Sequence, residues 1–140
     1  MKPAVPVQAS ELSGLARSFH QPVYWAGKQG STQFDLTRNG TDRLYIRYLP
    51  PNGAPTPATG VLTVGTYRLP NAYNALLRAA KAPGAKTYKL PKHGRALVDA
   101  GNPTDVHLAY RSQPFQVEVF DPTPGRALKL VRSGQVRPVP

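Results

Sequence analysis

Apolar and polar residues alternate along this chain in short runs, which predict short elements joined by frequent turns. One apolar stripe of a helix is formed by residues spaced i, i+3, i+4 and i+7: Leu12, Leu15, Ala16 and Phe19. Ser10 precedes the stripe as an N-cap residue. Pro22 ends the helix, because the residue before a proline avoids the helical region.

Eight segments have the apolar or alternating pattern typical of β-strands. They are residues 23–26, 33–37, 43–49, 61–67, 86–90, 96–99, 106–110 and 115–120. Asn39 and Gly40 predict a tight hairpin between the second and third segments, since both residue types accept a positive φ. Gly65 indicates a bulge or a close backbone approach. Residues 50–60, with four prolines, read as a loop.

Two further helices are predicted in the second half of the chain. Asn71 would cap a helix over residues 72–81. Thr123 and Pro124 have the residue types preferred at the N-cap and first position of a helix that ends near Arg132. The tail after residue 135 is expected to be extended or frayed.

The second half of the chain repeats the first. Leu12, Ala16, Tyr24 and Asp35 recur 64 positions later as Leu76, Ala80, Tyr88 and Asp99, and residues 44–48 resemble residues 106–110. The pattern predicts an α+β fold with two αββββ pseudo-repeats, about 10–70 and 71–132, plus a C-terminal helix. We expect a mostly antiparallel sheet with helices packed on one face. Whether the strands form one sheet or two stays open.

Length and composition indicate the number of domains and the classes of ligand and chemistry that are compatible with this fold. A chain of 140 residues predicts one domain, here residues 10–140, preceded by a linker at 1–9. The formal net charge of +11, from 18 Lys and Arg against 7 Asp and Glu, attracts polyanions such as envelope polymers, anionic lipids and nucleic acids. The absence of cysteine excludes disulfides, thiolate nucleophiles and zinc–sulfur sites.

Basic and aromatic residues interleave on the predicted strands, where an exposed sheet face could stack bases or sugars. The candidate binding surface consists of Tyr24, Trp25, Tyr45, Arg47, Arg68 and His107. The Gly and Phe spacing of an RNA-recognition motif is missing from these segments. Nucleic acid is therefore a weaker expectation than an envelope polymer, an anionic lipid or a protein partner.

The sequence contains no catalytic, cofactor-binding or metal-ligating motif. His20, His93 and His107 each lack a second histidine or a carboxylate at ligand spacing, so we assign no metal site to them. Asp35 and Asp99 share a repeat position and could form a carboxylate pair. Their places at strand ends explain them more simply, and Asp105 is expected in a Thr-Asp turn.

Five spaced segments resemble a family of uncharacterised actinobacterial proteins: residues 20–27, 34–38, 44–50, 62–67 and 116–122. The resemblance implies an N-terminal transmembrane helix and a short linker before the domain, with the domain outside the cytoplasmic membrane. Residues 1–8 would then be part of the linker. They contain no such helix, which leaves a cytoplasmic location open. The family has no established activity, so the resemblance implies no site residues and no cofactor.

These observations favour a binding protein over an enzyme. We expect a basic, envelope-associated ectodomain, anchored to the membrane, that binds an envelope component or a protein partner. One alternative is a nucleic-acid-binding module that uses the Tyr and Arg residues. The other is a hydrolase whose site lies near Asp35 and Asp99.

Overall fold

A computed structural model describes residues 6–31, 33–50 and 60–140 of the chain. In chain order the elements are α1 (Ala9–Arg17), β1 (Tyr24–Trp25), β2 (Phe34–Asn39), β3 (Arg43–Tyr48), β4 (Thr63–Arg68), α2 (Ala72–Ala79), β5 (Ala85–Leu90), β6 (Gly94–Asp99), β7 (Asn102–Tyr110), β8 (Phe115–Phe120), α3 (Arg126–Arg132) and β9 (Arg137–Pro138). The predicted α+β class is confirmed. Within these ranges, each helix is too short or too polar to cross a lipid bilayer.

Seven strands form one continuous antiparallel sheet in the order β2-β3-β4-β8-β7-β6-β5. The order is symmetric about the β4–β8 pair, because β3 lies beside β4 as β7 lies beside β8. Repeat-related residues such as Ile46 and Leu108 lie on the same face of the sheet, as a twofold axis perpendicular to the sheet requires. The first strand departs from this symmetry, since β1 pairs with β9 in a separate ribbon.

The two faces of the sheet carry different helices. We call one the core face: Ile46, Val64, Val119 and Val106 form a continuous cross-strand row that packs with α1 and α3. On the opposite face, here the α2 face, Leu76 of α2 packs against Ala109. The expectation that all helices share one face is therefore wrong. A helical period identifies the apolar side of a helix, but it does not identify the sheet face that this side will cover.

Two helices begin at residues other than those predicted. Helix α1 starts at Ala9 after the N-cap Gln8, whose backbone N–H donates to Glu11 Oε1 at 3.1 Å in a capping box. Ser10 lies inside the helix. Helix α3 starts after Gly125, and Thr123 instead donates its backbone N–H to the buried Asp121 carboxylate at 2.8 Å.

Both ends of the described chain add to the fold. Val7, in the predicted linker, forms a β-bridge with Phe34. The tail is extended as β9, and Val136 beside it is buried in the main core with Trp25. The predicted β2–β3 hairpin is present, but its turn is formed by Gly40 at φ 72°, Thr41 and Asp42, while Asn39 pairs with Arg43 as the last residue of β2. Most of the predicted loop, residues 51–59, lies outside the described residues.

Candidate functional site

The six candidate surface residues do not form one surface. Trp25 is buried in the main core, and Tyr24 is half-buried and stacks on Tyr110 with ring centroids 6.1 Å apart. Arg68 lies at the end of β4 with its guanidinium over the ring of Phe115. These residues are on or near the core face.

The remaining candidates belong to the α2 face. Tyr45 and His107 occupy one cross-strand row, separated by Gly65 and Glu118. Tyr45 lies over Gly65, where an added β-carbon would come within 2.8 Å of its ring, so a side chain rather than another backbone segment makes the close approach there, and the strand register shows no bulge. Arg47 lies on the same face but is buried. The structure therefore leaves Tyr45 and His107 as the accessible pair.

Asp35 and Arg47 form a buried ion pair. Arg47 Nε donates to Asp35 Oδ1 and Oδ2 at 3.1 and 3.0 Å, and Arg47 Nη2 donates to Oδ2 at 2.5 Å. Asp99 is exposed at the end of β6 and accepts the backbone N–H of Gly101 at 2.9 Å. Four strands separate β2 from β6, a distance of roughly 24 Å across the sheet. The two aspartates therefore do not share a site.

A cluster that sequence reasoning missed lies where the strands β7 and β8 pair. Asp105, His107 and Glu118 project from the α2 face, with ligand atoms all within 4.8 Å of one another. His107 is directly opposite Glu118, and its Nε2 lies 3.7 Å from Glu118 Oε2. The expectation that His107 has no neighbouring carboxylate is wrong. The prediction of Asp105 in a turn is also wrong, because it lies within β7.

We call Asp105, His107 and Glu118 the carboxylate–histidine cluster. Burial, then a hydrogen bond with Asp105 and the charge of Asp105, together raise the pKa of Glu118 to about 7, whereas the charge of Arg43 lowers it. Asp105 Oδ1 is buried without a hydrogen-bond donor among the described residues.

A cleft opens beside this cluster, between α2 and the sheet. Its volume is about 480 Å³, and its walls are Tyr67, Ala75, Leu76, Ala79, Ala82, Ala85, Leu97, Asp99, Asn102, Asp105, His107 and Gln116. Alanines line the helix side and polar groups line most of the sheet side. The cleft thus offers carboxylate, imidazole, amide and phenol groups against an apolar wall.

The rest of the described surface is strongly basic. Fifteen of the 18 Lys and Arg residues are exposed, whereas Glu11 and Asp99 are the exposed acids among the residues that the structure describes. Asp35 and Asp121 are buried against Arg47 and Arg126. The positive charge of the sequence is therefore concentrated at the surface, and few acids there offset it.

Several of these arginines lie over aromatic rings, with Cζ 4.6 to 5.9 Å from the ring centroid. The pairs are Arg38–Phe19, Arg43–Tyr67, Arg68–Phe115, Arg111–Tyr73, Arg132–Tyr88 and Arg137–Trp25. In each pair the aromatic ring fixes the position of the arginine guanidinium. The same contact occupies one face of the ring, which is then closed to a stacked ligand.

Comparison with protein families found none that matches the chain, and comparisons with curated proteins and solved structures gave no match either.

Proposed function

We propose that this protein is an envelope-associated binding module, without enzymatic activity, that holds an anionic envelope polymer through its basic surface. The observation that carries the proposal is the contrast between fifteen exposed Lys and Arg residues and two exposed acids in the described chain. Such a surface creates a positive potential that attracts polyanions and weakens as salt rises. An anionic lipid or a protein partner would be the alternative ligand of the same surface.

The location is part of the same proposal. The resemblance of segments such as residues 44–50 and 116–122 to membrane-anchored actinobacterial proteins supports a domain outside the cytoplasmic membrane. A basic surface suits that setting, because anionic polymers and lipid headgroups are polyanions fixed in place.

The state of the aromatic residues favours an envelope polymer over single-stranded nucleic acid. Proteins that bind single strands stack bases on open aromatic faces. Here Trp25 is buried, Tyr24 stacks on Tyr110, and the ring of Tyr67 lies under Arg43. These three rings are occupied by contacts within the protein, so among the described residues charge is a stronger attraction for a polyanion than base stacking.

A salt titration tests the proposal. Binding of the chain to an acidic wall polymer, to anionic vesicles and to short single-stranded DNA would be followed over the same range of salt. We expect the wall polymer to remain bound at the highest salt, because it matches the proposed setting. Simultaneous loss of all three near physiological salt would contradict the proposal, and longest survival of the DNA would favour the nucleic-acid alternative.

Charge variants give the titration a matched control. The double variant Lys89→Gln and Lys92→Gln removes two exposed charges, and it should weaken polymer binding and flatten its salt dependence. Asp99→Asn removes an exposed negative charge and should strengthen binding slightly. If the variants do not shift binding in opposite directions, surface charge does not determine it.

A further inference from the structure

We propose that the carboxylate–histidine cluster is a binding site for a divalent transition-metal ion of the zinc or manganese type. The donors are one imidazole nitrogen of His107 and one carboxylate oxygen each from Asp105 and Glu118. This inference does not depend on the proposed function, because the two carboxylates and the imidazole are not part of the basic surface.

The backbone presents these donors from a firm support. Asp105 and His107 are two residues apart on β7, so their side chains share a face, and Glu118 is paired with His107 on β8. Metal–ligand bonds of about 2.0–2.2 Å place two donors roughly 3 to 3.5 Å apart. The His107 Nε2–Glu118 Oε2 distance is already 3.7 Å. Small side-chain rotations would therefore close the site without movement of the strands.

The cluster lacks the cation that the buried carboxylates elsewhere have. Asp35 and Asp121 each form a salt bridge with an arginine. Among the described residues no Lys or Arg forms a salt bridge with Asp105 or Glu118, although the protein has 18 such residues. The guanidinium of Arg43, whose charge acts on Glu118, lies over the ring of Tyr67. Two adjacent carboxylates repel each other, and a bound metal ion would remove that repulsion.

The donor types indicate which metals the cluster selects. An imidazole ligand favours zinc, iron, nickel and copper over magnesium and calcium, which prefer oxygen alone, and the two carboxylates also suit manganese. Three protein ligands leave at least one coordination position open, as in metal sites that bind an external ligand. The open side faces the cleft that Tyr67 and Gln116 line. Water or an oxygen-donating ligand would occupy that position.

Calorimetric titration of the untagged chain with Zn²⁺ tests the site. We expect one ion per chain, with Mg²⁺ and Ca²⁺ binding far more weakly. His107→Ala and Glu118→Gln should each weaken Zn²⁺ binding at least tenfold, as expected for the loss of a ligand. His20→Ala and His93→Ala are matched controls, because both histidines are exposed and distant in sequence from the cluster. These variants should bind Zn²⁺ like the unaltered chain.

A second measurement locates the ion. Mn²⁺ should broaden the backbone amide NMR signals of residues 105–107 and 117–119 first, and Asp105→Asn should remove that selective broadening. The proposal is overturned if Zn²⁺ does not bind, if Glu118→Gln and Asp105→Asn bind it as tightly as the unaltered chain, or if the control histidines are required. Circular dichroism of each variant shows whether a loss of binding reflects unfolding. Asp105→Asn decides the question if Glu118→Gln does not fold.

Discussion

At the scale of single residues, the buried ion pair between Asp35 and Arg47 shows why a repeated aspartate need not be catalytic. The register of β2 and β3 places the two residues opposite each other, and both are almost completely buried. The guanidinium satisfies both carboxylate oxygens. Asp99, the residue of the second repeat that corresponds to Asp35, is exposed and accepts a hydrogen bond from the backbone N–H of Gly101. The same residue type therefore has two structural roles.

Arg47→Met should be strongly destabilising, because it leaves the Asp35 carboxylate buried without its main partner. We expect the free energy of unfolding to fall by about 3–5 kcal/mol, measured by urea denaturation. Replacing both residues, as in Asp35→Leu with Arg47→Met, should recover part of that loss. Arg126→Met is the comparison: the Arg126 side chain is 45% exposed, so its ion pair with Asp121 should matter less. Equal losses for the two arginine variants would contradict this account.

Gly65 tests the contact beneath Tyr45. In Gly65→Ala the new β-carbon would lie 2.8 and 2.9 Å from ring carbons of Tyr45, and the ring must move. We expect a loss of about 1–3 kcal/mol in thermal or chemical denaturation. Gly14→Ala is the matched control, because nothing lies within 4 Å of its added carbon and alanine favours the helix. That variant should stabilise the protein, and a destabilised Gly14→Ala would show that local packing is not the cause.

At the scale of elements, local pattern predicted the strands better than their partners. The bounds of β3 and β8 lie within a residue of those expected, since alternation along a strand is a local property. The pairing of His107 with Glu118 depends on register between strands, which the local pattern does not contain. The Asp105-x-His107 spacing was visible and indicates a shared face on a strand. This spacing identifies a three-residue cluster only when Glu118 of β8 is known to lie opposite His107.

The short strand β9 should be needed to keep Trp25 buried. A chain that ends at Gly134 loses the β1–β9 pairing, the buried Val136 and the Arg137 guanidinium, which lies over the Trp25 ring. We expect a red shift in the fluorescence of Trp25, the single tryptophan, and a lower melting temperature. A chain that ends at Val139 keeps the pairing and is the control. Unchanged emission in the shorter chain would mean that β9 does not cover Trp25.

At the scale of the whole molecule, the sheet and helix α2, which lies on the opposite face from its repeat partner α1, border a cleft. Repeat-related strands present matching apolar residues to the core face, where α1 and α3 pack. Helix α2 covers part of the other face and borders the cleft there. The charged residues are also unevenly placed. Most Lys and Arg residues are exposed, whereas Asp105 and His107 of the carboxylate–histidine cluster line the cleft beside α2. Internal repetition therefore predicted the matching strands but left open whether they form one sheet or two, and it did not predict that α2 lies on the other face from α1.

The core face also determines how the molecule responds to alkaline pH. Burial, with a smaller contribution from the charge of Tyr24, raises the pKa of Tyr110 from an ordinary value of 10.0 to about 12. Burial likewise raises the pKa of Tyr24 and of Tyr48, whose hydroxyl donates to the backbone carbonyl of Gly27. These groups are neutral in both states below pH 10. Between pH 10 and about 12 the unfolded chain loses these protons first, so stability falls as pH rises.

Tyr110→Phe should reduce this alkaline loss, because it removes one of the groups that must ionise. Urea denaturation of the two proteins at neutral pH gives the cost of the lost hydroxyl, and the same comparison between pH 10 and 12 isolates the titration. We expect the difference in unfolding free energy to shift in favour of the variant as pH rises. If the two proteins lose stability in parallel across that range, Tyr110 stays ionisable in the fold, and its burial does not govern the alkaline limit.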